Sequence, residues 1–245
     1  MIVGFVGSGS MAAAMARGWA GEFELMLFSD SGSGRAAELA GELGGKAVSN
    51  AEIGAKADLV VLAVKPAMLA EVAPEIADAK VVVSLLGATS LAAIAAALPR
   101  SEAHRVMPNV AVEVGRGVLC VSGPPSALVR EKLKLLGEVV ELRDEDFDAA
   151  TAVMGCAPAY LALAVEAIAE AGAEDGLDRD LARKLVVETA AGTAELLRTH
   201  SPAAVRKAVA SPGGSTEAGL EALEAKGAQA AFKAAVQASL ERMRG

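Results

Sequence analysis

A few stretches of this chain carry residue types whose spacing can do chemistry. Gly7-Ser-Gly9-Ser-Met-Ala12 is a G-x-G-x-x-A turn that follows the strand-like run Ile2–Val6 and opens a run of good helix formers, Met11 to Arg17. Gly7 permits a tight turn, Gly9 lets the backbone approach a pyrophosphate, and Ala12 allows a helix to pack closely on the strand. The phosphate then rests on unpaired N–H groups at the positive end of the helix. A strand before and a helix after turn a weak motif into a dinucleotide-binding one. Asp30, in Ser29-Asp30-Ser31-Gly-Ser33-Gly-Arg35, stands at the distance expected of an acid that accepts from the adenosine ribose and repels a 2′-phosphate. Arg35 and the serines act in the opposite sense, by donating to such a phosphate. The competing reading of Asp30 is a capping residue among solvated serines.

Asn50 lies in a loop ahead of the fourth predicted strand, Lys65 ends that strand in Ala63-Val-Lys65-Pro66, and Asn109 follows another in Met107-Pro-Asn109. Strand carboxyl ends line the cofactor crevice in a doubly wound sheet, so all three are candidates for ribose or nicotinamide contacts. Ser211-Pro-Gly-Gly-Ser-Thr216 precedes the helical run Glu217–Glu224. Ser211 can cap, Pro212 lacks a donor that would be idle at the first helical position, and Gly213 and Gly214 expose bare N–H groups that suit a carboxylate. A plain helix start competes with that reading. His104 and His200 are isolated and read as structural. Cys120 and Cys156 form no CxxC pair and have no ligand-spaced histidines, so neither a disulfide framework nor a metal site is expected. Cys156 precedes Ala157-Pro158 at a helix start, where a small packing residue is the simpler reading than a reactive thiol.

Positioning these groups requires alternating strands and helices. Strands are expected at Ile2–Val6, Leu25–Phe28, near Ala47–Val48, and at Leu59–Val64, Val81–Leu85, Arg105–Met107, Val118–Val121 and Val139–Leu142. Continuous apolar runs such as Leu59–Val64 mean burial on both faces of a parallel sheet. Beyond Arg143 the strand signals stop. The expected fold is α/β: a Rossmann-type doubly wound sheet over residues 1–144, followed by an all-helical domain over 145–245. The helix Ala157–Ala171 is apolar nearly all round apart from Glu166 and Glu170, so a partner subunit is its expected cover.

With 53% hydrophobic and 3% aromatic residues, the core must be built from small aliphatic groups. The net charge of −8 repels a polyphosphate backbone, so a small metabolite rather than nucleic acid is the expected partner. The N-terminus lacks the basic region of a signal peptide, and no uncharged apolar stretch reaches the roughly 18 residues of a membrane span. A cytoplasmic protein with no membrane partner is expected.

Taken together and in order, Gly7–Ala12, Ala63–Pro66, Arg105–Asn109, Asp146-Phe-Asp148, Pro158-Ala-Tyr160, Gly176-Leu177 and above all Ser211–Thr216 with Gly219 and Leu223-Glu224 resemble the pyrroline-5-carboxylate reductases. The resemblance spans essentially the whole chain. It implies a Rossmann domain carrying NADPH or NADH, a helical domain that builds an intertwined homodimer, dimers that associate into a ring, and a substrate bound where the domains meet. By position, Gly7, Gly9, Ser10, Met11, Ser29, Asn50, Ala63 and Lys65 would lie along the cofactor. Ser211, Gly213, Gly214, Ser215 and Thr216 would take the substrate, with the Thr216 hydroxyl on the imine nitrogen as the catalytic contact. Three positions depart from the family: Gly155-Cys-Ala-Pro-Ala-Tyr160, Val110 after Met-Pro-Asn, and Leu85-Leu-Gly-Ala88. A β-hydroxyacid-type dehydrogenase would be expected to offer a lysine in Ala157–Ala171, which has none, and a silent nucleotide-binding protein would not keep Ser211–Thr216 intact.

Overall fold

The computed structural model describes residues 1–244. They divide into two compact units, Met1–Cys156 with the C-terminal residues from Leu240, and Ala157–Ser239. The first unit runs β1 (Ile2–Val6), α1 (Ser10–Gly18), β2 (Leu25–Ser29), α2 (Arg35–Leu43), β3 (Lys46–Ala47), α3 (Asn50–Lys56), β4 (Leu59–Leu62), α4 (Leu69–Val72), β5 (Val81–Ser84), α5 (Leu91–Ala97), β6 (Glu102–Pro108), β7 (Gly117–Ser122), α6 (Ala127–Lys134), β8 (Gly137–Leu142) and α7 (Phe147–Ala150).

The eight strands form one sheet in the order β3-β2-β1-β4-β5-β6-β7-β8. Every expected strand is present, and β1 to β6 pair in parallel. One departure from an all-parallel sheet is that β7 runs antiparallel to β6. Only the short turn Val110–Val114 joins them, and a parallel return would need a crossover long enough for a helix.

The strand pleat sends alternate residues to two cores. Val3 and Phe5 of β1 join Met15, Trp19 and Phe28 on one face. Val6 joins Ile53, Ile76 and Ile94 on the other. This is the burial on both faces that the continuous apolar runs imply. Trp19 is fully buried, stands near Phe5 and Phe23, and donates from Nε1 to the Lys132 carbonyl at 2.8 Å. Residues 145–156 pack with the sheet, so the contact boundary falls later than the change from strand to helix at Arg143. Phe147 explains this: it is buried, and the guanidinium of Arg105 on β6 lies 4.2 Å above its ring centroid.

The second unit contains α8 (Ala157–Glu174), α9 (Arg179–Leu196), α10 (Pro202–Val209), α11 (Ser215–Ala225) and most of α12 (Ala228–Arg244). Tyr160 on α8 ties it to α12 through Ser239 Oγ at 2.6 Å. Among the described residues, Ala182 is this unit's only buried apolar side chain, while Leu161, Leu163 and Ile168 on α8 are each at least 60% exposed. Helices α7 and α8 belong to one continuous helix, Asp144–Glu174, long and apolar enough by length and composition to cross a membrane. The sequence expectation concerned uncharged stretches; this helix reaches the length with charged residues in it, Glu166 and Glu170 among them. A helix face that another subunit covers passes the same test.

Replacing Trp19 by alanine removes the largest side chain of the first core and leaves the Lys132 carbonyl only its 3.3 Å bond from the Leu135 N–H. It should destabilise the protein by about 3–5 kcal/mol, read as a lowered denaturation midpoint in urea.

Candidate functional site

The sheet order reverses direction between β1 and β4, which places the turn after β1 at the topological switch point where doubly wound sheets bind nucleotides. Gly7 has φ +95°, and a Cβ there would stand 2.7 Å from the Ala63 carbonyl oxygen at the end of β4. No other residue type fits. Gly9 is the opposite case: a Cβ on it would meet nothing within 4 Å, so the space above the turn is open. No side chain caps α1, whose first N–H groups border that space. A cleft of about 300 Å³ runs from there, lined among others by Ser8, Gly9, Ser10, Arg17, Arg35 and Val110. An uncapped helix start beside open space fits a dinucleotide pyrophosphate.

The remaining residues of this group are brought together in different ways. Ser10 is exposed at the turn, whereas Met11 packs its side chain against the core and offers only its backbone. Ser29 is buried at the end of β2, with its hydroxyl on Asn50 Oδ1 at 2.5 Å, and its carbonyl accepts from the Gly7 N–H and the Ser8 hydroxyl. Asn50 also donates to Glu75 at 2.6 Å. Ala63 supplies the carbonyl that closes on Gly7, and Lys65 is exposed just beyond it.

Asp30 braces its own loop. Its carboxylate accepts from the Gly32 N–H at 2.8 Å, the Ser33 hydroxyl at 3.0 Å and the Ala36 N–H at 2.8 Å. The bond from Ala36, and then those from Gly32 and Ser33, outweigh burial and hold its carboxyl below the usual carboxylate range. The physical reason is local: the loop needs an acceptor where the chain turns into α2, and the capping reading describes it. Asn109 is likewise turned inward. It is 8% exposed, accepts from the Val118 N–H and donates to the Met154 carbonyl, both at 3.2 Å.

In the second unit, Ser211–Thr216 forms an exposed turn into α11. The helix starts later than the sequence suggests: Gly214 is its N-cap and Ser215 its first residue, so Ser211 does not cap it and Pro212 lies outside it. Gly213, at φ +72°, folds the loop so that the Gly214 N–H bonds the Ser211 carbonyl at 2.9 Å. The Gly213 N–H is not bare but donates to Glu217 Oε2 at 2.6 Å. Glu217 was missed from sequence, although an acid three residues after a helix cap is a known reach-back signal. Thr216 is exposed in the first turn. His104 bonds Glu102 at 2.9 Å and His200 bonds the Leu196 carbonyl, both in structural roles. Among the described residues, no group of three or more His, Cys, Asp or Glu could hold a metal ion.

This fold and turn define a Rossmann-type dinucleotide-binding oxidoreductase with a helical C-terminal domain. Residues 2–87 match the family model described as NADP oxidoreductase coenzyme F420-dependent, and residues 144–245 match that of pyrroline-5-carboxylate reductase dimerisation. The chain is 36% identical to pyrroline-5-carboxylate reductase of Thermus thermophilus over 99% of this chain and 97% of that one. Solved structures of the enzyme from Plasmodium falciparum, with NADP bound, and from Streptococcus pyogenes each superpose with a TM-score of 0.86, at 26% and 28% identity. Each covers 99% of this chain, which covers 97% and 98% of theirs. The chain belongs to the pyrroline-5-carboxylate reductase family, and its C-terminal domain is one of homo-oligomerisation.

The two glycines should separate experimentally. Gly9→Ala should keep the melting temperature near wild type yet weaken NADPH binding by about tenfold through loss of close backbone approach. Gly7→Ala should instead unfold the turn, seen as a lowered melting temperature. Asp30→Ala should cost about 1 kcal/mol at neutral pH. Because the folded carboxyl titrates below its unfolded value near 4, that stabilisation is present above pH 4 and is lost as pH falls through the lower folded value. Urea titrations at pH 7 and at successively lower values below pH 4 should therefore show the penalty in full at the first and shrinking as pH falls.

Proposed function

We propose that the chain reduces 1-pyrroline-5-carboxylate to L-proline with NADPH or NADH, as a cytoplasmic homodimer whose dimers associate further into a ring. Residues 1–144 are assigned to the dinucleotide and 145–245 to the substrate and the dimer. The observation that carries this is the presence in one chain of an open, uncapped phosphate turn at Gly7–Ala12 and the glycine-paired turn Ser211–Thr216. The curated relatives and NADP-bound structure support the same activity.

The cofactor, when bound, supplies the hydride, which adds to the imine carbon while the ring nitrogen keeps its proton. The chain's own residues bind and orient. Gly7, Gly9, Ser10 and the Met11 backbone are assigned to the pyrophosphate, with Ser29, Asp30, Asn50, Ala63, Lys65 and Asn109 around the rest of the nucleotide. Asp30 and Asn109 act there through the backbone they hold rather than by contact. Ser211, Gly213, Gly214, Ser215 and Thr216 are assigned to the imine acid. The N–H groups of Ser215 and Thr216, in the first helical turn, suit its carboxylate, because Glu217 already takes that of Gly213. The Thr216 hydroxyl is the catalytic contact to the ring nitrogen. A protonated imine is already electrophilic, so no acid–base triad is required.

The exposed leucines and isoleucine of α8 support a subunit interface along Asp144–Glu174 rather than a membrane span. The net charge of −8 favours a small-molecule partner over nucleic acid.

EDTA-treated protein should oxidise NADPH and NADH only when the imine is present; cofactor binding without imine-dependent oxidation would overturn the assignment. Thr216→Ala should lower kcat roughly a hundredfold, about 2–3 kcal/mol of transition-state stabilisation, with cofactor affinity unchanged. Thermal stability should rise with protein concentration, as expected when folding and association are linked; a stable, active monomer in analytical ultracentrifugation would contradict the dimer.

A further inference from the structure

Asn109, at the carboxyl end of β6, has a buried side chain engaged at both ends within the first unit. Its Oδ1 accepts from the Val118 N–H, its Nδ2 donates to the Met154 carbonyl, and its own N–H bonds the Val118 carbonyl at 3.1 Å. The Met154 carbonyl lacks its α-helical donor for a covalent reason. The residue four positions on, which would supply the helical N–H, is Pro158. Here the continuous helix widens into a π turn, Thr151–Gly155, in which the Cys156 N–H reaches back to the Thr151 carbonyl at 3.1 Å. Such turns leave carbonyls without their usual partners.

The residue after Asn109 is Val110, 49% exposed, which lines the cleft beside Ser8, Gly9 and Ser10. It opens the turn Val110–Val114, which packs on α1 so closely that a Cβ on Gly18 would stand 2.2 Å from the Val112 carbonyl oxygen. We propose that Asn109 is a positioning residue: by giving Met154 the donor that Pro158 lacks, it pins the π turn to the end of β6 and fixes Val110 as a wall of the dinucleotide cleft. This rests on the cofactor assignment of that cleft.

The test is NADPH binding to the full-length protein without imine, followed by nucleotide fluorescence. Asn109→Ala should weaken binding by about tenfold, the cost of one buried carbonyl left unpaired. Pro158→Ala restores a main-chain N–H to Met154, so adding Asn109→Ala in that background should cost less than about threefold, a non-additivity that lost packing would not produce. Asn109→Asp keeps the acceptor for Val118 but donates to Met154 only when protonated, so its binding defect should shrink as pH is lowered, relative to wild type. If Asn109→Ala is too unstable to purify, the Pro158→Ala and Asn109→Asp comparisons decide. A lowered melting temperature with unchanged NADPH affinity, or strictly additive costs in the double variant, overturns the proposal. Wild-type protein that binds neither nucleotide overturns the cofactor assignment and this inference with it.

Discussion

The sheet unit is organised around a backbone-to-backbone approach in which no side chain can stand. Gly7 lies so close to the Ala63 carbonyl that any Cβ would collide, and its φ of +95° suits glycine alone. That contact holds the end of β1 to the end of β4, and so fixes where α1 begins. With the start of α1 fixed, the missing side chain two residues later leaves open space rather than a clash. One glycine therefore builds the turn and the other leaves room above it. The aromatic cluster around Trp19 and the turn Val110–Val114 then hold α1 from its far side.

The polar groups near this turn serve the backbone first. Asp30 braces its own loop through three donors, Ser29 links β2 to Asn50, and Asn109 donates to a carbonyl whose residue four positions on is a proline. Glu217 does the same in the helical unit by occupying the Gly213 N–H. Each is a case of a backbone group finding its nearest acceptor or donor, because an unpaired one costs more than a bound pair gains. The chemistry expected of the chain fits this economy of side chains. A nicotinamide brings the hydride and an iminium is already activated, so the protein's work is orientation.

The helical unit poses the complementary constraint. With Ala182 as its one buried apolar side chain among the described residues, it has almost no interior of its own. Its apolar mass lies on faces such as that of α8, and burial of that surface is the driving force for association.

Much of this is legible in local pattern. The eight strands, the glycine turn and the change to helices after Arg143 follow from β-branched runs, periodicity and Gly placement, which are properties of a few adjacent residues. The apolar circumference of α8 equally announces a missing cover. What local pattern does not contain is which groups across the chain find each other. The antiparallel return of β7 depends on a connection too short for a crossover. The spacing of Asp30 suits a ribose, whereas its bond from the Ala36 N–H exists only once α2 has formed. Ser211 looked like a cap until Gly213 entered the left-handed region and moved the helix start to Ser215. Asn109 meets Met154 only because β6 and the π turn are brought side by side by the buried Arg105–Phe147 contact. Sequence by itself determined the elements and the open turn; the tertiary structure decided which polar side chains remain free, because hydrogen bonds to backbone across distant segments form only after the elements have packed.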